Sequence, residues 1–129
     1  MSNLYIPATS ETPEINFDFT AHKISISGES YPENAMAFYS PIRASLADYL
    51  NSQSAHAVEA TFSLTYFNSS STKLIRALFA MMNEASSKGK RIVAQWLHDP
   101  EDDMMLEFGQ DLREEFKDME LRVVACAAA

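Results

Sequence analysis

The stretch from Leu64 to Met82, "LTYFNSSSTKLIRALFAMM", changes its hydrophobic rhythm at Asn68. Before Asn68, apolar and polar residues alternate, which is the period of a β-strand with one buried face. After the four residues that follow Asn68, apolar side chains recur every three to four positions, which is the period of an α-helix. Four hydroxyl residues, Ser69 to Thr72, lie between the two patterns. The stretch therefore predicts a strand that passes directly into a helix through a hydroxyl-rich junction.

The same two patterns alternate along the rest of the chain. Residues 15–28 alternate on both sides of a turn near Ala21 and His22, which predicts an opening β-hairpin. Amphipathic helices are predicted to follow, each one before a further strand, and these strands lie over 58–66, 91–97 and 121–125. This order favours a small α/β fold with a mixed, largely parallel sheet and right-handed crossovers.

Polar residues, proline and glycine mark the ends of the predicted helices. Ser30 and Glu33 have the spacing of a capping box before the first helix. Asp99 precedes Pro100, which predicts the cap and the first residue of the third helix. Gly89 suits a left-handed cap at the end of the second helix.

Length and composition predict one domain. The chain has 129 residues, of which 47% are hydrophobic and only three are glycine. No linker rich in proline, glycine or serine divides it, so residues 1–129 are predicted to form a single domain with 127–129 as a frayed tail. One cysteine, Cys126, cannot form an internal disulfide, which agrees with a reducing compartment.

Charge and hydropathy restrict the partners. The chain has 18 acidic residues against 10 basic ones, and a formal charge of −8 opposes binding to the phosphate backbone of nucleic acid. No apolar run reaches the roughly 18 residues that a membrane span needs, and no secretory signal pattern is present. We therefore expect a cytoplasmic protein that binds neither nucleic acid nor a membrane.

Catalytic and metal-binding chemistry have weak support in the sequence. A hydrolase needs a base beside Ser69 or Ser70, and His98 at the end of a predicted strand is the candidate. No G-x-S-x-G motif accompanies these residues. The acidic residues from Asp102 to Glu115 lack the spacing of a calcium loop and are typical of a solvated helix face. We therefore predict no metal site and no cofactor.

The hydroxyl run after Asn68 has two explanations. Serine and threonine are preferred N-caps because their side chains accept a hydrogen bond from a free backbone N–H, so one of the four is predicted to cap the helix. A helix start with several hydroxyls is also a good phosphoacceptor, because the free N–H groups and the helix dipole favour a phosphate. A phosphate there adds negative charge that an apolar partner surface cannot accommodate. The second explanation therefore adds a phosphorylation switch.

Several motifs resemble those of regulatory proteins. A strand that ends in "YFNSSS" and continues into an amphipathic helix is similar to the STAS domain of anti-sigma factor antagonists, in which a phosphorylatable serine begins that helix. The SiaC family of regulatory phosphoproteins resembles the chain over nearly its whole length. The segments that carry this resemblance are "IPATSETPEI", "GESYPENA", "LTYFNSSSTK" and "GKRIVAQWLHDPEDDMMLEFGQDLREEF".

The resemblance implies a STAS-like switch protein that is not an enzyme. It implies that a dedicated kinase phosphorylates the hydroxyl residue directly after the asparagine of the central motif, and that a PP2C-type phosphatase reverses this. That position is Ser69, with the adjacent Ser70 as second choice. The resemblance further implies that the unphosphorylated protein binds and activates a diguanylate cyclase, which raises cyclic di-GMP and favours biofilm growth.

Two segments are expected to contact the partners. The residues are Asn68, Ser69 and Ser70 at the helix start, and Tyr31, Pro32, Glu33 and Asn34 in a second segment. Two alternatives stay open at this point, namely the hydrolase built on Ser69 and His98 and an assembly module without regulation.

Overall fold

The computed structural model of the protein describes residues 3–52 and 56–126. Within these ranges the chain forms six strands and three helices. They are β1 (Leu4–Ile6), β2 (Glu14–Asp18), β3 (Lys23–Ser30), α1 (Ala35–Leu50), β4 (Val58–Phe67), α2 (Ser69–Ser87), β5 (Ile92–His98), α3 (Asp103–Glu115) and β6 (Glu120–Ala125). None of these helices is long and apolar enough to cross a membrane. The predicted frayed tail at 127–129 lies outside the described residues.

The six strands form one sheet whose order follows the chain from β1 to β6. The pairings of β1 with β2 and of β2 with β3 are antiparallel, and the three pairings from β3 to β6 are parallel. The α/β fold with an opening hairpin and a mixed sheet is therefore confirmed. The sequence does not predict β1, because three residues are too few to show a period.

The sheet has one buried face and one open face. One row of cross-strand neighbours lies in the core, namely Ile24, Ala60, Ala94 and Leu121. All three helices bury their apolar side chains in the same hydrophobic cluster, so they cover this face. The adjacent row points the other way and is polar, namely Ser25, Thr61, Gln95 and Arg122. Parallel crossovers generally share one handedness, so crossovers that always step to the next strand in one direction place all three helices on one face.

The start of α1 differs from the predicted one. The Asn34 side chain caps the helix by accepting a hydrogen bond from Ala37 N at 3.1 Å. Ser30, which was expected to form a capping box with Glu33, is the last residue of β3 and is fully buried. The capping-box prediction is wrong because β3 continues to Ser30, so the helix begins only after a further loop.

The start of α3 also lies later than predicted. Asp102 caps the helix by accepting a hydrogen bond from Met105 N at 3.1 Å. Asp99 accepts a backbone hydrogen bond within the preceding turn instead, so the assignment of Asp99 and Pro100 to the helix start is wrong. Both aspartates satisfy a backbone N–H, and the sequence does not distinguish the turn from the cap.

The end of α2 agrees with its prediction. The helix stops at Ser87, and Gly89 has a φ angle of 103°. This left-handed backbone conformation favours glycine because it lacks a Cβ atom. The predicted glycine cap is therefore confirmed.

Packing around Trp96 of β5 joins α3 to the sheet. The indole is fully buried and donates its Nε1–H to Met105 O at 2.9 Å. Its ring lies 5.2 Å from the Phe108 ring. A Cβ atom added to Gly109 would lie 2.5 Å from Trp96 Cδ1. Glycine at this position therefore lets α3 lie directly against the indole ring.

We expect Gly109→Ala to lower the free energy of unfolding by about 1–3 kcal/mol, because the added methyl group overpacks the contact with Trp96. In a free helix the same change is stabilising by about 1 kcal/mol, so the sign itself is diagnostic. Urea unfolding measures the difference, and Gln110→Ala at the neighbouring exposed position is the control. A stabilised Gly109→Ala variant would show that the indole moves aside without cost.

Candidate functional site

Two polar segments meet at the carboxyl edge of the sheet, which we define as the ends of β3 to β5 and the starts of the three helices. In the parallel pair of β3 and β4, Ser30 lies opposite Phe67. The chain therefore leaves both strands at the same place, and Asn68 N donates a hydrogen bond to Ser30 O at 3.0 Å. This pairing brings residues 31–34 and 68–70 next to each other.

The cap of α2 is Asn68. Its backbone is extended, and its side-chain Oδ1 accepts a hydrogen bond from Ser71 N at 2.9 Å. The expectation that one of the four hydroxyl residues caps this helix is therefore wrong. Asparagine is as good an N-cap as serine, and it lies one position earlier, where the strand ends.

The four hydroxyl side chains occupy different environments. Ser69 and Ser70 are exposed in the first turn of α2, and their hydroxyls form no hydrogen bond to the described part of the chain. Ser71 is fully buried. The Thr72 hydroxyl donates a hydrogen bond to Asn68 O at 3.1 Å. The hydroxyls of Ser69 and Ser70 are thus accessible, whereas those of Ser71 and Thr72 form hydrogen bonds within the fold.

Ser71 belongs to a chain of three buried hydroxyls that connects α2, β3 and α1. The Ser30 hydroxyl donates to Ser71 Oγ at 2.9 Å and lies 2.7 Å from the Tyr39 hydroxyl. None of the three side chains is exposed. Burial raises the pKa of Tyr39 to about 12, against a smaller lowering by the hydrogen bond with Ser30. This hydroxyl chain fixes the start of α2 to the rest of the fold.

The second segment follows β3 and has a mixed exposure. Tyr31 is half-buried, and its ring packs edge-on against the Tyr66 ring with centroids 5.7 Å apart. Pro32 is buried, whereas Glu33 and Asn34 are exposed. The Asn34 side chain also caps α1. Tyr31, Glu33 and Asn34 can therefore face a partner, and Pro32 shapes the loop.

Exposed apolar side chains surround this site. Met36 in the first turn of α1 is 71% exposed, Tyr66 near the end of β4 is 51% exposed, and Met104 in the first turn of α3 is 81% exposed. All three lie at the carboxyl edge, on segments beside the start of α2. The sequence does not identify them, because an exposed methionine next to an apolar stripe has the same pattern as a buried one.

The geometry does not support a hydrolase. His98 is buried, and its Nδ1 lies 2.9 Å from the carbonyl oxygen of Asp99. No hydrogen bond connects His98 with Ser69 or Ser70 in the described ranges. Nucleophilic catalysis requires such a contact between hydroxyl and base. Among the described residues there is also no group of three or more acidic, histidine or cysteine side chains that could hold a metal ion.

The profile of the SiaC family of regulatory phosphoproteins matches residues 6–126. The chain belongs to the SiaC family. An uncharacterised protein of Pseudomonas aeruginosa strain UCBPP-PA14 is 30% identical over 115 residues, which make up 89% of this chain and 90% of that protein. As a member of a family of regulatory phosphoproteins, the chain is a regulator and not an enzyme.

Solved structures of the SiaC family have the same fold. SiaC of Pseudomonas aeruginosa matches with a TM-score of 0.89 at 28% identity, over 98% of this chain and 100% of that one. A second structure contains the diguanylate cyclase SiaD of that organism in complex with its activator SiaC, and it matches with a TM-score of 0.88 at 27% identity. This match covers 95% of our chain and 99% of the other.

The buried hydroxyl chain predicts opposite behaviour of two neighbouring serines. Ser71→Ala leaves the Ser30 hydroxyl without its buried acceptor, so we expect a loss of about 1–3 kcal/mol in the free energy of unfolding. Ser69→Ala removes an exposed hydroxyl and should change stability by less than about 0.5 kcal/mol. Urea unfolding of both variants provides the comparison. Equal stability of the two would mean that the hydroxyl chain contributes nothing to folding.

The buried hydroxyl of Tyr39 predicts a loss of stability in alkali. Its pKa is raised from 10.0 to about 12 in the folded protein, so its contribution is complete below pH 10 and is lost as the pH rises toward 12. Between pH 8 and pH 11 the expected loss is about 1.4 kcal/mol, because at pH 11 the hydroxyl is mostly ionised in the unfolded chain and mostly neutral in the folded protein. Urea midpoints at pH 8 and pH 11 measure it, and Tyr39→Phe should show a smaller decline. The same decline in both proteins would assign the effect to other groups.

Proposed function

We propose that the protein is a cytoplasmic, non-enzymatic switch whose unphosphorylated form binds and activates a diguanylate cyclase. Membership of the SiaC family and the match to SiaC bound to the cyclase SiaD support this proposal. The observation that carries it is the exposed Ser69 in the first turn of α2, on an edge that also presents the exposed apolar side chains of Met36, Tyr66 and Met104.

Ser69 is the proposed phosphoacceptor. It directly follows the cap Asn68, and its hydroxyl is exposed without a hydrogen bond to the described residues. A phosphate at this position meets the free backbone N–H groups and the positive end of the helix dipole, both of which stabilise an anion. Ser70 has the same exposure and is the second choice. Ser71 is buried, and the hydroxyls of Ser71 and Thr72 take part in hydrogen bonds within the fold, which disfavours both as acceptors.

Phosphorylation is proposed to prevent binding of the cyclase. It adds a charge of about −1.5 to −2 at neutral pH. When the partner covers the carboxyl edge, this charge loses its hydration, whereas the helix dipole stabilises it equally in the free and the bound protein. If about 3 kcal/mol of this desolvation cost is not compensated, the affinity for the cyclase falls more than a hundredfold.

The proposed regulators are a dedicated kinase and a PP2C-type phosphatase that act on Ser69. Their balance sets the fraction of protein that can activate the cyclase, and therefore the level of cyclic di-GMP and biofilm growth. Intact-mass measurement of the protein from its native cells at several growth stages separates this switch from an unregulated assembly module. A protein that never carries a phosphate would support the assembly module.

The central prediction concerns affinity. Tagged Ser69→Ala protein purified from its native cells should carry a partner that converts GTP to cyclic di-GMP. In calorimetric titrations of that purified cyclase, the unmodified, Ser69→Ala and Ser70→Ala proteins should bind within about twofold of one another, which corresponds to less than about 0.5 kcal/mol. The phosphorylated protein should bind more than about a hundredfold more weakly.

Two outcomes would contradict this prediction. Equal or tighter binding by the phosphorylated protein would exclude an off-switch. Phosphate transfer to Ser69→Ala but not to Ser70→Ala would move the acceptor to Ser70. The two alanine variants are matched controls, because each removes one exposed hydroxyl from the same turn of α2.

A further inference from the structure

Two neighbouring open cavities lie on the surface between α1 and α2. The first, with a volume of about 820 Å³, opens beside Asn34 and Met36. A second cavity of about 460 Å³ lies near the ends of both helices. Ala47 and Met81 line both cavities, so the two are adjacent, and we call them together the α1–α2 groove.

The shape of this groove suits a helix. α1 has 16 residues and α2 has 19, so they are roughly 24 and 28 Å long at 1.5 Å per residue. Ala44 and Ala47 of α1 are small, and Leu74 and Met81 of α2 add apolar surface. Small side chains permit the interaxial distances of about 8–10 Å at which helices pack. A third helix can therefore lie along α1 and α2 over several turns.

The charge of the groove is opposite to that of the whole protein. Its lining contains Arg43, Lys88 and Lys90 against one acid, Glu84, whereas the chain has 18 acidic and 10 basic residues. Lys88 pairs with Glu84 at 3.3 Å, and Arg43 forms no salt bridge to the residues that the structure describes. The first turns of α1 and α2 contain no acid that would offset the positive ends of the two helix dipoles, although Glu33 directly precedes the cap of α1. The groove therefore favours an acidic occupant.

The mouth of the groove lies beside the accessible hydroxyls. Ser70, Leu74 and Met81 are separated by four and seven residues in α2, so they lie along one side of the helix. Met36, which is largely exposed, borders the same mouth from α1. A phosphate on Ser69 or Ser70 is thus placed where an occupant of the groove enters.

We propose that the α1–α2 groove binds an acidic amphipathic helix of the partner enzyme. Apolar side chains of that helix contact Met36, Ala44 and Met81, and its carboxylates face Arg43. This inference rests on the proposed function and adds how the switch acts. Phosphate at the mouth repels the carboxylates of the entering helix, so like charge adds to the desolvation cost.

Two pairs of matched variants test this proposal with the purified full-length cyclase. Ala44→Trp fills the groove from an exposed position, and Ala80→Trp places the same bulk on an exposed position of α2 outside the lining. Arg43→Glu reverses the unpaired charge, and Arg113→Glu makes the same change on α3. Thermal unfolding of all four variants confirms that they remain folded.

We expect Ala44→Trp to weaken binding more than about tenfold and Ala80→Trp to leave it within about twofold. Arg43→Glu should slow association about fivefold at low salt, and this effect should shrink at high salt because ions screen the charge. Arg113→Glu should leave the association rate unchanged at both low and high salt. Cyclase binding by Ala44→Trp at the unmodified affinity would overturn the groove proposal while leaving the proposed function intact.

Two further outcomes are decisive. If the unmodified protein and both control variants all fail to bind a cyclase, the proposed function fails first. If light scattering shows that the unmodified protein is a dimer and that Ala44→Trp is a monomer, a second copy of the chain occupies the groove. That result would overturn the proposed occupant.

Discussion

Parallel pairing from β3 to β6 determines where every functional element of this protein lies. Two neighbouring parallel strands need a connection that runs back over the length of the strands to their starting edge. Each such connection here contains one helix. Because the crossovers step in one direction, the helices cover one face and all begin at one edge. Asn34, Asn68 and Asp102 cap the three helix starts. The surface on which the switch is proposed is thus a consequence of the topology.

The buried hydroxyl chain is a polar cluster within a largely apolar core. Ser30, Tyr39 and Ser71 bring polar groups to a depth at which each must find a hydrogen-bond partner. Their mutual hydrogen bonds meet this need and tolerate little displacement of one element against another. Hydrogen bonds on the buried side therefore hold the start of α2 in place, while Ser69 and Ser70 stay exposed on its solvent side.

Much of the fold could be predicted because its longer elements have clear periods. The sequence of β4 alternates from Val58 to Tyr66, and its inward side chains from Val58 to Leu64 are all buried. The helix starts could not be predicted equally well. Ser30 has the residue type of an N-cap, yet it occupies the next inward position of β3 after Ile24, Ile26 and Gly28. Only the pairing with Phe67 on β4 shows that the strand extends this far.

The candidate site could be predicted in part. The exposed serines and the loop after β3 followed from the junction pattern and the resemblance. The exposed apolar side chains could not be predicted in this way. Met104 directly precedes Met105, and both fit an amphipathic helix. Met105 is 7% exposed and Met104 is 81% exposed, and the position of the Asp102 cap decides which one faces the core. This depends on tertiary packing, which a local pattern does not contain.

The concentration of three helix starts on one edge has a consequence for the timing of a signal. Under the proposed function, the kinase and the cyclase compete for the same surface around Ser69, so a bound cyclase shields the acceptor. The kinase then acts only on the free pool, and existing complexes persist until they dissociate. The rate at which the complex dissociates, rather than the rate of phosphate transfer, would set how quickly the cell leaves the active state. Cyclase activity would therefore continue for some time after the stimulus ends.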